Sequence, residues 1–453
     1  MDRRRFLAAW VGASPALGAP ARLSAAAFRA DATPPLGAPL IWVTPAVRIA
    51  DPLWAKGVVL ASQAGRMVLC AVDWCGISGS WHALLRRRIA AAVGASPSMV
   101  AVQTVHQHTA PYVCGDAYAL LRQKFAKPPL LYPEREFFAM ADRIAAAART
   151  ALAEAKPVTH LGYAEVEVER VASERRLLDP GGKKVIAVRY STTAKTPALA
   201  LAPEGEVDRR LKTITLFSAR KPLVRLHYYA THPQTFCCDG VVSGDFVSAA
   251  RETFEKEEGA PQVYFTGCAG NVTVGKYNDG SDQARRDLAA RMLAAFRAAP
   301  AATQEAPVAA PSWKSVPLTL PLRSENDPVF AAHTAKLESR SGVTDQDLYR
   351  SAIAVAFHAR RTPLEVTALA LGRVVIVHLP GEPMLDFQRY AQGIRPDHRV
   401  VTAGYGDIGP GYLCTDAAYQ QGGYEPGASN VAPGTEGALK AALRAAVLGK
   451  NDA

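Results

Sequence analysis

The residues with the clearest chemical potential are two histidines one residue apart in Gln103-Thr104-Val105-His106-Gln107-His108-Thr109-Ala110-Pro111. An apolar, β-prone run from Met99 to Val105 leads into them, and Pro111 bars a further regular strand. Side chains alternate along a strand, so His106 and His108 are expected on the same side. Neutral imidazoles at a strand tip suit a metal, or one suits a metal while the other moves a proton; a hydrogen-bonded structural pair is the competing reading. Two distant segments favour the metal. His232, in Ala230-Thr231-His232-Pro233, ends another strand-like run, and Glu382 follows a third in Pro380-Gly381-Glu382-Pro383. Histidine, histidine and carboxylate form a catalytic zinc set with a position left for water.

These residues need elements that deliver them to one place. Gly57 to Ser62 and Met67 to Asp73 read as paired strands joined by a turn at Ala64-Gly65-Arg66, Trp81 to Val93 as a helix, and Met99 to Val105 as the next strand. Strand, helix, strand implies a parallel pair with a right-handed crossover, and such sheets collect chemistry at the carboxyl ends of their strands. Pro133 opens a helix to about Lys156 with Phe137, Ala141, Ile144, Ala148 and Leu152 on one face, a core stripe. Strands are expected at Leu211 to Phe217, Leu223 to Tyr229, Gln262 to Thr266, Leu364 to Gly372, Val374 to Leu379 and Val400 to Tyr405. Ser243-Gly244-Asp245 marks a helix start. Ala299 to Ser312 is the best linker candidate, and a surface loop inside one domain reads the same way. All four site residues are then expected at strand ends of one mixed, largely parallel α/β sheet flanked by helices.

Composition sets the bounds. The 453 residues are 49% apolar and 21% charged, the profile of a globular chain. Arg3-Arg4-Arg5-Phe6-Leu7, a weak apolar run broken by Ser14 and Pro15, and small residues at Ala19 to Ala27 read as a twin-arginine-type signal peptide over residues 1–27. The expected destination is the periplasm or the medium. The net charge of +11 falls to +8 without the leader's four arginines and one aspartate. That excess favours peripheral contact with anionic lipid or acidic substrates, and no basic, aromatic-interleaved run marks a nucleic-acid site. Seven cysteines include no CxxC, and the adjacent Cys237 and Cys238 are not expected to bond to each other.

Taken in order, these segments resemble the neutral/alkaline, non-lysosomal ceramidases and their bacterial relatives. The likeness rests on His-x-His-x-x-Pro at His106 to Pro111, Ala-Thr-His-Pro at His232 with Ser243-Gly244-Asp245 beyond it, Pro380-Gly381-Glu382, and Tyr412 followed by Tyr419 and Tyr424-Glu425, over roughly Pro39 to Pro426. The resemblance implies one catalytic domain, residues 28–447, without the family's C-terminal immunoglobulin-like domain. It implies Zn2+ held by His106, His232, Glu382 and Tyr412, with His108, Arg175, Thr273 and Tyr424 around the scissile amide. His108 would be the base and Tyr424 the oxyanion donor, while Arg175 and Thr273 would hold the substrate's polar head. Asp73 and Asp245 are candidate partners of the histidines, and helix-cap or turn roles compete for both. The implied substrate is ceramide or a related N-acylated lipid. This chain departs from the family's Gly-Asp-x-Ser-Pro loop, having Gly270-Asn271-Val272-Thr273-Val274. An amidase or esterase for another acylated compound, and a periplasmic binding protein with the same cleft, remain alternatives.

Overall fold

Short turns force antiparallel neighbours and helical crossovers allow parallel ones, and this chain combines the two in the same way three times. A computed structural model describes residues 23–448. The first sheet holds β1 (Ser24–Asp31), β2 (Trp54–Ser62), β3 (Gly65–Val72), β4 (Val100–Thr104) and β5 (Lys156–Pro157), in the order β4-β3-β2-β1-β5. The second holds β6 (His160–Glu167), β7 (Arg210–Ser218), β8 (Lys221–Tyr229), β9 (Gln262–Thr266) and β10 (Gln304–Pro307), in the order β9-β8-β7-β6-β10. The third runs β11 (Pro311–Leu318), β12 (Leu364–Leu371), β13 (Val374–His378) and β14 (Arg399–Ala403) side by side. The helices that matter for the site are α1 (Gly79–Val93), α2 (Glu134–Ala153), α3 (Asp245–Glu258), α4 (Pro328–Glu338), α5 (Asp345–His358) and α6 (Leu385–Ile394).

In each sheet a hairpin is followed by a helix and then by a strand that pairs parallel with the hairpin's second arm. The units are β2-β3-α1-β4, β7-β8-α3-β9 and β12-β13-α6-β14, and their parallel pairs are β3 with β4, β8 with β9 and β13 with β14. All other pairings within the three sheets are antiparallel. The mixed α/β architecture with flanking helices is therefore as expected. The largely parallel, single sheet is not: the pairings are mainly antiparallel and divided among three sheets. Among the described residues no immunoglobulin-like sandwich occurs.

The three parallel pairs meet at their carboxyl ends. Thr104 N donates to Tyr405 O at 2.8 Å, Gly404 N to Thr266 O at 2.9 Å, and Thr266 Oγ1 to Val105 O at 2.7 Å, so each sheet end is bonded to the other two. Gln103 Nε2 adds a clamp, within 3.0 Å of the Leu379, Ala403 and Gly404 carbonyls. These buried main-chain groups have lost water, and the cross-bonds satisfy them. The α2 stripe packs as expected, with Phe137, Ala141, Ile144 and Ala148 fully buried and Leu152 partly so. Each large apolar side chain there contributes roughly 1.5–3 kcal/mol.

Ser24 to Ala27, at the end of the expected leader, belong to β1 in register with Ala61 to Val58, and Leu23 and Ala25 are buried; the twin-arginine segment itself lies outside the described residues. Two expectations change at this level. The Ala299 to Ser312 stretch is no interdomain linker, since it carries β10, an edge strand of the second sheet. Cys237 and Cys238 form a vicinal disulfide, while the remaining cysteines are free and buried. Among the described residues no helix is long and apolar enough to cross a membrane.

Candidate metal centre

Beyond the carboxyl end of β4 the chain leaves the strand at Thr104, and His106 adopts a left-handed conformation with φ 72°. Strand alternation therefore does not explain why His106 and His108 share a cleft. A turn at a conformation unfavourable to a side chain with Cβ does, and such strain persists only where the surroundings hold it. Two contacts hold it here. His106 N donates to Trp74 O at 2.9 Å, and Tyr405, itself left-handed at φ 62°, stacks on the His106 ring at 4.3 Å.

His106 Nδ1–H donates to the Cys75 carbonyl at 2.6 Å, and His232 Nδ1–H to the Val272 carbonyl at 2.9 Å. A carbonyl only accepts, so these bonds set both tautomers and turn each Nε2 to the other side of its ring. Both Nε2 atoms lie 3.3 Å from the same Glu382 oxygen, and the three donor atoms fall within 4.8 Å of one another. Histidines anchored through one nitrogen and converging with a carboxylate through the other fit the ligand set of a divalent ion. Cys75, His106 and His108 form a second compact group. It fits a metal less well, because the His106 nitrogen nearest Cys75 Sγ, 3.7 Å away, is the Nδ1 already donating to a carbonyl.

Glu382 and Tyr412 sit opposite each other in a short parallel pair, Glu382–Pro383 with Tyr412–Leu413, which sets the phenol beside the carboxylate. Arg175 Nη1 donates to Tyr412 Oη at 2.9 Å, yet burial outweighs this neighbour and holds the phenol well above its ordinary pKa, so it is protonated here. Arg175 Nη2 lies 3.2 Å from His232 Nε2 and uses the lone pair an ion would take, so metal binding requires that second contact to be given up. Glu425, fully buried, holds Arg176 at 3.1 Å and faces Arg175 at 3.7 Å.

Charge is distributed unevenly over the cluster. Burial works against ionisation of Glu382, but the charge on His106 and its hydrogen bond hold the carboxyl well below its ordinary range. Burial also opposes charge on His106, where the Cys75 sulfur and Glu382 act the other way and raise its pKa. Burial and then Arg175 bring His232 down to about 4. His108, its Nε2 3.4 Å from that of His106, is kept neutral by burial and by the neighbouring imidazoles. A neutral imidazole beside the donor set is free to accept a proton.

A cleft with about 80 Å³ of space open to water-sized groups lies over this cluster, lined by His106, His108, Glu382, Tyr412 and Tyr424 among others. Tyr424 packs edge-on against Tyr412 at 5.6 Å, and the Arg175 guanidinium lies within 5.6 Å of both rings.

Of the expected site residues, His106, His108, His232, Glu382, Tyr412, Tyr424 and Arg175 come together. Thr273 does not join them at the cleft. It is fully buried, and its Oγ1 accepts from Gly275 N at 3.2 Å as part of a turn. Asp73 and Asp245 touch neither histidine: Asp73 accepts from Arg251 and from Trp54 N, and Asp245 from Thr235 and Phe246. The histidine partners are main-chain carbonyls, which no residue type announces. Tyr405 also belongs to the site, and an aromatic between Gly404 and Gly406 just beyond a strand is the sequence signal for it.

The departure in the glycine loop has a structural account. Gly270 lies so close to Glu382 that a Cβ would meet the Glu382 carbonyl oxygen at 2.5 Å. Asn271 then bridges two segments of the site, accepting from Leu385 N at 2.8 Å and donating to both Glu174 carboxyl oxygens at 3.1 Å. An aspartate could not donate there without a proton. Burial pushes Glu174 up to about 8 from 4.5. A carboxyl whose folded pKa is raised stabilises the fold below its unfolded pKa and loses that contribution as pH rises. Stability should therefore decline between about pH 4.5 and 8 in the wild type, and Glu174→Gln should flatten this slope, measured as melting temperature against pH. An unchanged slope would remove Glu174 as its source.

Against known proteins the resemblance lies in the fold. No family model matches the chain, and no curated protein matches it in sequence. Solved structures do. A ceramidase complexed with C2 superposes with a TM-score of 0.68 at 17% identity, covering 94% of this chain and 75% of the other. The neutral ceramidase from Pseudomonas aeruginosa gives a TM-score of 0.68 at 18% identity, covering 94% and 74%. The chain thus has a neutral-ceramidase-like fold, with a buried His-His-Glu cluster suited to a metal at the mouth of its three sheets.

Proposed function

We propose that the chain is a zinc-dependent hydrolase that cleaves the N-acyl amide bond of ceramide or a related N-acylated lipid. The observation that carries this reading is the paired imidazoles, each anchored through Nδ1 to a carbonyl and each turning Nε2 to Glu382 at 3.3 Å. His106, His232, Glu382 and Tyr412 would hold the ion. When bound, Zn2+ supplies Lewis acidity, lowering the pKa of water to about 7 and polarising a carbonyl. His108 takes the proton from the attacking water and returns it to the leaving nitrogen; a C–O bond forms, the C–N bond breaks, and an acid and an amine result. Tyr424 donates a hydrogen bond to the oxygen on which charge develops. Arg175, behind Tyr412 and Tyr424, orients both phenols. The arginine-rich leader supports twin-arginine export to the periplasm, and the basic excess supports peripheral contact with anionic lipid.

The test is fatty-acid release from a fluorogenic N-acyl sphingosine by zinc-loaded protein beside a chelated control. Release that chelation abolishes and zinc restores is expected. Tight binding without turnover of this or any other N-acyl amide would identify a binding protein instead.

A further inference from the structure

The cleft wall has a feature that the hydrolytic reading does not use. Ile41, Trp42, Tyr112 and Ile353 make part of it apolar, and Arg350, half-buried on α5, stands among them. The Arg350 guanidinium carbon lies 4.9 Å from the Trp42 ring centroid, a cation–π contact that uses none of its N–H donors on an acceptor. Other arginines near the site are committed: Arg175 to Tyr412 and Glu425, Arg176 to Glu425, and Arg323 to Asp327. Arg350 makes no hydrogen bond or ion pair with any described residue. The acid one turn earlier on its helix, Asp347, is taken by Lys336 at 2.9 Å and by Thr344.

Asp347 is near enough to feel the Arg350 charge, but its oxygens are bonded to Lys336 and Thr344, and no carboxylate among the described residues bonds the guanidinium. Among the described residues Glu382 is the one carboxylate lining the cleft, and it faces the imidazoles. His333, from α4, also lines the cleft and is brought down to about 4 by burial and then by Arg350, so it adds no charge near neutral pH. A planar cation with free donors, set into an apolar wall and lacking a protein acceptor, matches a carboxylate or phosphate on an otherwise apolar ligand.

We infer that Arg350 binds an anionic group of the substrate, so that the compound held in this cleft is an N-acyl compound carrying a carboxylate or phosphate. This rests on the reading of the cleft as an amide-hydrolase site and narrows its substrate class.

The experiment compares three probes of one chain length: N-lauroylglycine, N-lauroylethanolamine phosphate and the neutral N-lauroylethanolamine. Binding to chelated protein is measured by calorimetry, and hydrolysis with zinc-loaded protein. At least one anionic probe should bind about tenfold tighter than the neutral one or better, the expectation for a charge-assisted pair. The two anionic arms separate carboxylate from phosphate. In Arg350→Gln the anionic-to-neutral affinity ratio should fall to near one, and Arg350→Lys should retain most of it. A neutral probe that binds as tightly as both anions, or a ratio unchanged in Arg350→Gln, overturns the inference. Arg350-dependent binding without hydrolysis of any probe would sink the hydrolase reading and leave this one standing.

Discussion

Alanine at His106 or at Glu382 should abolish both bound zinc and N-acyl amide hydrolysis. Each substitution removes one of three donors whose atoms lie within 4.8 Å of one another, and the nearest other imidazole, His108 with its Nε2 3.4 Å from that of His106, is the group assigned to proton transfer. Cys75 is close, but burial raises its thiol pKa and its carbonyl is engaged by His106. Zinc per chain, measured by elemental analysis after dialysis, should fall from about one equivalent to background, and the rate by ~10³-fold or more. His108→Ala separates the roles. It should keep the metal and lose roughly 10²–10⁴-fold in rate, the range for a removed general base. Far-ultraviolet circular dichroism checks that each variant is folded. If His106→Ala or Glu382→Ala keeps both metal and turnover, the assignment of the centre is wrong.

The second large effect concerns a residue expected to act on the histidines directly. Asp73 and Arg251 are both fully buried and paired through two hydrogen bonds of 2.8 and 2.7 Å. Asp73 also accepts from Trp54 N at 3.0 Å, which fixes the end of β3 just before Cys75, the residue whose carbonyl orients His106. Arg251→Met strands the carboxylate in the interior, and breaking a buried pair in this way costs about 3–5 kcal/mol. The urea midpoint should fall accordingly. Adding Asp73→Leu should recover much of the loss, since a pair replaced by apolar side chains leaves no orphaned charge. A double variant no more stable than Arg251→Met would show that the pair does more than compensate its own burial.

Much of the local structure was legible from the chain. The hairpin of β2 and β3, helix α1, the α2 stripe, the start of α3 and strand β9 all follow from apolar period and from proline, glycine and aspartate at element ends. The sheets were not legible. Whether β4, β9 and β14 share one sheet or close three depends on contacts between segments hundreds of residues apart, such as Thr104 with Tyr405, and period carries no information on such pairs. Thr273 shows the limit of motif matching: a hydroxyl at the expected position turns into its own loop because Gly275 N lies within reach.

By itself the sequence determined which side chains stand just beyond strand ends, because polar residues followed by proline or flanked by glycine interrupt an apolar period at identifiable positions. His106, His108, His232, Glu382 and Tyr412 were found that way or through the resemblance those positions support. Only the tertiary structure decided that His106 is left-handed, that two carbonyls set the imidazole tautomers, that Asp73 acts through the backbone, and that Arg350 faces the cleft without an acceptor. The physical reason is common to all four. Each depends on a main-chain group or a missing partner, and neither has a residue identity to be read before the chain has folded.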